Sequence, residues 1–188
     1  MNKDGHILNG ALLAIGLGVI LAIDPMAGPV FAGPDGNVTV STVLPVVTGV
    51  ALMIVELSVP VTLGALAPDI DTAFGRHRKT LHNLPMLGIF IAFPYLFGNL
   101  QFVWIGVATH YLLDMVGSKR GIALFYPLSS AEYQVPTGVA TSSEWATRVT
   151  VLVTMLELAV LAAVHNYVFA LDTSLTQAAG MFRTVIGV

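Results

Sequence analysis

The residues of this 188-residue chain best suited to chemistry are its five histidines and a small set of aspartates. There is no cysteine, which excludes disulfide frameworks, thiolate metal sites and cysteine nucleophiles. Imidazole and carboxylate remain, the ligands of zinc, manganese and non-haem iron. His6 lies close to the amino terminus; Asp69 and Asp71 stand in Ala-Pro-Asp-Ile-Asp-Thr, and His77 and His82 in His-Arg-Lys-Thr-Leu-His-Asn. His110 and Asp114 are four residues apart, so on a helix they share one face. Pro68 disfavours helical geometry at Ala67, and the chain is expected to leave its helix extended there. An extended Asp-x-Asp points both carboxylates to one side, close enough to chelate one ion or bridge two. Each feature also has a plainer reading. Asp-x-Asp can cap or turn a chain, His77 can be a solvated loop residue, and His82 can anchor at an interface. His110 and Asp114 can be a buried hydrogen-bonded pair joining helices.

The elements that must position these groups are set by composition. Hydrophobic residues make up 55% and charged residues only 10%, far below the roughly 25% charged of soluble domains. The mean hydropathy is +0.81. A formal net charge of −3 argues against a nucleic-acid binder, which would carry a basic excess. The expected fold is therefore a single-domain, all-α, polytopic membrane bundle of about five helices. Five apolar stretches fit: Ile7–Ile23, Val43–Ala67, Leu84–Phe97, Leu100–Val116 and Ala146–Leu171. The first carries a stripe of small residues (Gly10, Ala14, Gly18, Ala22). It reads as a membrane helix rather than a cleaved leader, because Asp4 and His6 interrupt the basic region and its apolar run is long. Pro-Asp-Gly-Asn at residues 34–37 signals a turn, Gly98–Asn99 a tight hairpin between the third and fourth stretches, and Pro127 and Pro136 an irregular fourth connection. Leu175, Ala179, Phe182 and Ile186 give the tail a helical spacing.

With five spans, Lys3, Arg76, Arg78, Lys79, Lys119, Arg120 and Arg148 fall on one side and Arg183 on the other. Cytoplasmic loops are enriched in Lys and Arg, which predicts a cytoplasmic amino terminus. The same map brings His6, Asp69, Asp71, His77, His82, His110 and Asp114 to that face from four separate stretches; only His165 lies toward the other. Accidental placements should scatter over both faces. Arg78, Lys79, Lys119 and Arg120 either obey the orientation rule or bind a phosphate at headgroup level. Glu56 and Glu157, nearer mid-membrane, are expected to pair with polar groups of neighbouring spans or to stay protonated.

At these residues the sequence resembles the YdjM-like family of small membrane-bound metal-dependent hydrolases, the LexA-regulated inner-membrane type. The shared features are His6 opening the first helix, Gly-x-Leu-x-Pro-Asp-x-Asp (Gly64 to Asp71) and His-Arg-x-x-x-His (His77 to His82). A fourth is His-x-x-x-Asp followed by Gly121 and Pro127-Leu128. These motifs cover residues 1–130, leaving the fifth helix and tail at 146–188 outside them. Where the family often reads Thr-His-Ser, this chain has Leu81-His82-Asn83. A remoter similarity is to zinc-dependent phospholipase C and the P1-type nucleases, although their later His-x-x-x-Glu pair has no counterpart before Glu144.

Residues and resemblance together lead to the expectation of a metal-dependent phosphoester hydrolase in a cell (inner or plasma) membrane. Its substrate would be a lipid or lipid-linked molecule, met at the cytoplasmic leaflet. One or two divalent ions, zinc foremost and manganese or iron as alternatives, would be held by His6, Asp69, His82, His110 and Asp114. Asp71 would bridge ions, orient an imidazole or act as general base, while His77 and Arg78 would steady phosphate or protonate the leaving group. The rival classes are a transporter or proton/metal conductor and a non-catalytic scaffold with a structural metal. The oligomeric state is not legible.

Overall fold

A computed structural model of the chain describes residues 2–23, 31–33, 35–97 and 101–169. Five α-helices follow in order: α1 (Lys3–Ala22), α2 (Val40–Leu66), α3 (Leu84–Phe97), α4 (Val103–Gly117) and α5 (Ala146–Ala163). A 3-10 turn (Ala67–Ala73) continues α2, and a π turn (Val164–Phe169) continues α5. No strand forms among the described residues; the fourth connection holds only the isolated bridges Ser118–Val139 and Ile122–Tyr133.

Local chemistry sets the helix starts. Asn2 caps α1 by accepting from the Gly5 N–H at 3.0 Å, and Asp4 sits in the first turn, where the helix dipole favours an acid. The helix thus begins before the apolar run and takes His6 into its first turns. Ahead of α2, the Thr39 N–H donates to Thr42 Oγ1 at 3.0 Å. Asn83 caps α3, its Oδ1 accepting from the Met86 N–H at 3.0 Å, so this residue serves the backbone.

The three helices α1, α2 with its 3-10 extension, and α5 with its π turn are long and apolar enough to cross a membrane. The expected third and fourth spans are shorter: α3 has 14 residues and α4 has 15. At 1.5 Å per residue they reach only about 21–23 Å, against roughly 30 Å of hydrocarbon. The turn expected at 34–37 is present over Asp35–Asn37, where Gly36 takes φ 76°. Pro34, the Gly98–Asn99 hairpin, Leu100, residues 170–171 of the fifth stretch and the tail with Arg183 lie outside the described residues.

Packing centres on α1, which lies against α2 and α5, while α2 also crosses α4. Leu13, Ala14, Leu17, Leu57 and Val61 form the core between α1 and α2. The α2–α4 crossing is closest at Gly64 and Gly106. A Cβ on Gly64 would overlap the Val103 carbonyl, and one on Gly106 would overlap that of Val61. Only glycine lets the two backbones meet so closely. The amino ends of α1 and α3 and the carboxyl ends of α2 and α4 thereby share one end of the bundle.

One expectation is corrected. Asp69 and Asp71 do not leave α2 on an extended strand; Ala67 stays helical (φ −57°, ψ −41°) and the chain tightens into the 3-10 turn. Pro68 falls at the second position of that turn, where its missing N–H leaves no vacancy in the turn's own bonding. The two carboxylates consequently point in different directions.

Candidate metal centre

The end of the bundle just described gathers His6 from α1, Asp69 and Asp71 from the 3-10 turn, His77 and His82 from the following connection, and His110 and Asp114 from α4. His6, Asp71, His82, His110 and Asp114 are buried, Asp69 is partly covered and His77 is exposed. All seven come together as their positions on the membrane map require. His165 lies at the opposite end of α1, its Nε2 3.3 Å from the Ile23 carbonyl.

Backbone and carboxylate acceptors set the imidazole orientations. The close α2–α4 crossing carries His110 to the end of α2, where its Nδ1 donates to the Ala65 carbonyl at 2.6 Å. A 3-10 turn cannot itself satisfy that carbonyl, because the donor three residues on would be Pro68, which has no N–H. His82 Nδ1 donates to Asp71 Oδ2 at 3.0 Å, and His77 Nδ1 to Asp71 Oδ1 at 3.0 Å. The Leu81 N–H also reaches Asp71 Oδ2, at 3.2 Å, and Tyr111 donates its hydroxyl to the Leu81 carbonyl.

Carbonyls and carboxylates only accept, so the hydrogen of each neutral ring sits on Nδ1 and the lone pair on Nε2. His82 Nε2 and His110 Nε2 face one another at 3.0 Å. Asp69 Oδ1 lies 3.6 Å from each of these nitrogens. Asp114 Oδ2 lies 3.7 Å from His110 Nε2 and 3.8 Å from His82 Nε2. His82 Nε2, His110 Nε2 and Asp69 Oδ1 thus face one another with no hydrogen among them, and Asp114 Oδ2 lies beside both imidazole nitrogens. Ligands about 2.1 Å from a tetrahedral ion stand roughly 3.4 Å apart, so the residues fit a divalent cation. Two carboxylates and neutral imidazoles also balance its charge.

His6 extends the cluster. Its ring stacks on His110 with centroids 3.7 Å apart, and its Nε2 is 3.5 Å from Asp114 Oδ1. The ring is fully buried, yet neither nitrogen has a hydrogen-bond partner among the described residues. Such an imidazole is costly unless something coordinates it. His6, His110 and Asp114 form one set of potential ligands, and Asp69, His82 and His110 another, with ligand atoms within 4.8 Å of one another. These buried groups could bind a metal ion.

The basic residues divide into distinct environments. Arg78 turns inward with a left-handed backbone (φ 67°) that is uncommon away from glycine. Its Nη1 donates to Ser118 Oγ at 3.0 Å and to the Arg120 carbonyl, and lies 3.8 Å from Asp114 Oδ2. Lys79 and Arg120 pair with Glu132 at 3.8 and 3.3 Å, while Arg148 covers the Trp145 ring. Lys119 is exposed. Within the bundle, Glu157 finds the polar neighbours expected of it: Thr109 Oγ1 at 2.6 Å and Asn9 Nδ2 at 3.1 Å, the latter also reaching Thr154. Glu56 does not. It is exposed on α2 and makes no hydrogen bond or ion pair among the described residues.

Sequence reasoning missed Asn9, Thr109, Ser118 and the Ala65 carbonyl. Asn9 carried a signal, a polar residue three positions after His6 in an apolar helix; Ala65 carried none.

No curated protein and no solved structure matches the chain, and the remoter likeness to zinc phospholipases and P1-type nucleases therefore rests on short motifs alone. The family comparison reaches further than those motifs, through the fifth helix to the tail. The order of the histidine and aspartate motifs, their meeting at one end of an apolar bundle and a family-model match over residues 1–185 agree: the chain belongs to the YdjM inner membrane protein family.

Proposed function

We propose that the protein is a membrane-bound metal-dependent hydrolase of phosphoester bonds in a lipid or lipid-linked substrate, with its site at the cytoplasmic face. The supporting observation is the pair of Nε2 lone pairs 3.0 Å apart, ringed by carboxylate oxygens. Asp69, His82, His110 and Asp114 would hold a first ion, zinc by ligand type, and His6 lies where a second would share His110 and Asp114. A divalent ion there supplies Lewis acidity, polarising a phosphoryl oxygen and acidifying a water.

The remaining groups act around that centre. Asp71 has both oxygens engaged and fixes the rings of His77 and His82. His77, exposed and backed by Asp71, can pass a proton from Nε2 to a departing oxygen. Arg78 anchors Asp114 to the segment at residues 118–121 rather than reaching outward. The cytoplasmic placement rests on the basic residues at this end of the bundle.

The test is the metal content of purified wild type and His110→Ala after metal-replete growth. The expected result is at least one equivalent in wild type and a strong loss in the variant. Equal, near-zero metal in both refutes the reading.

A further inference from the structure

Resting on that reading, we infer that the cavity beside the metal centre is a recognition site for anionic lipid phosphate, with Lys3 as its specificity-determining cation. The cavity measures about 460 Å³ and is lined by Lys3, Leu66, Asp69, Ile70, Thr72 and His77. Two of these residues belong to the cluster: Asp69 faces the Nε2 atoms of His82 and His110, and His77 is held by Asp71. A molecule in the cavity therefore touches the groups that would act on it.

Lys3 is exposed and has no ion pair or hydrogen bond among the described residues. It differs in this from Arg78, which is committed to Ser118 and backbone carbonyls, and from Lys79 and Arg120, which share Glu132. An ammonium with free donors at the mouth of a phosphoester site recognises phosphate oxygens as a point charge. Leu66 and Ile70 give the cavity an apolar lip, Ile70 being 58% exposed. A free phosphate ion gains nothing from that lip, whereas the glycerol and first methylenes of a lipid do. A zwitterionic headgroup would bring its own cation toward Lys3, and this like-charge contact is unfavourable. The cavity thus selects a lipid phosphate without a compensating cation.

The test uses the full-length protein in detergent and calorimetric titration with dihexanoyl phosphatidic acid, dihexanoyl phosphatidylcholine and inorganic phosphate. Wild type is expected to bind the phosphatidic acid at least tenfold more tightly than either of the others. Lys3→Gln should weaken that binding roughly tenfold, the loss of one charge-assisted hydrogen bond. Lys3→Arg should retain most of it, and Lys119→Gln all of it. Unchanged affinity in Lys3→Gln, or equal affinity of wild type for the choline lipid, overturns the inference. Inorganic phosphate binding as tightly as the lipid overturns the lipid source and leaves an anion site. Metal content, measured on the same samples, separates the two hypotheses: it should be equal in wild type and Lys3→Gln. Its absence from both would sink the metal reading while the titrations still decide the role of Lys3.

Discussion

Replacing Gly64 by alanine tests how the metal centre depends on backbone packing. The added Cβ would stand 3.0 Å from Gly106 Cα and overlap the Val103 carbonyl, where ordinary contacts are 3.4–4 Å. The methyl group has no flexible neighbour to displace, so α2 and α4 must separate. Roughly 1 Å of extra separation takes the 2.6 Å bond between His110 Nδ1 and the Ala65 carbonyl beyond hydrogen-bonding range. Overpacking costs about 1–3 kcal/mol, and the lost hydrogen bond adds about 1 kcal/mol. Loss of an imidazole's orienting partner typically lowers metal affinity by about 10–100-fold. The assay is zinc affinity by chelator competition, run beside thermal unfolding in the same detergent. Gly49→Ala is the control, since a Cβ there meets nothing within 4 Å, and it should leave affinity unchanged with equal or slightly higher stability. Wild-type zinc affinity and stability in Gly64→Ala would refute the claim that the glycine crossing delivers His110.

Two further substitutions separate orientation from packing. Asp71→Asn keeps the size but removes the charge that both His77 and His82 lean on; zinc affinity by chelator competition should fall about 10–100-fold. Asn9→Ala removes the contacts to Thr154, Glu157 and Thr109 that tie α1 to α5 and α4. It should lower thermal stability by about 1–3 kcal/mol through unpaired buried groups and leave zinc affinity within about twofold, since the hydrogen bonds of Asn9 go to Thr154, Glu157 and Thr109 and not to the ligands. A large loss of zinc affinity with unchanged melting would contradict that division.

The apolar stretches, the helical register of His110 and Asp114 and the meeting of four of the five histidines at one end of the bundle were legible in the sequence. These follow from composition, span length and alternating direction, which bilayer physics makes nearly one-dimensional. The boundaries of α3 were read as they stand, while α1 starts earlier because Asn2 and Asp4 favour the helix before the apolar run begins. Only the tertiary structure decided which atom of each residue faces the centre. Asp69 and Asp71 are two positions apart, yet one points at Nε2 atoms and the other at Nδ1 atoms, because the chain enters a 3-10 turn instead of extending. His110 presents Nε2 because Gly64 and Gly106 let two backbones approach until the Ala65 carbonyl takes its Nδ1–H. Spacing along a chain specifies which side chains share a face; ring tautomers and carboxylate directions depend on partners up to 45 residues away, and those partners exist only once the helices have packed.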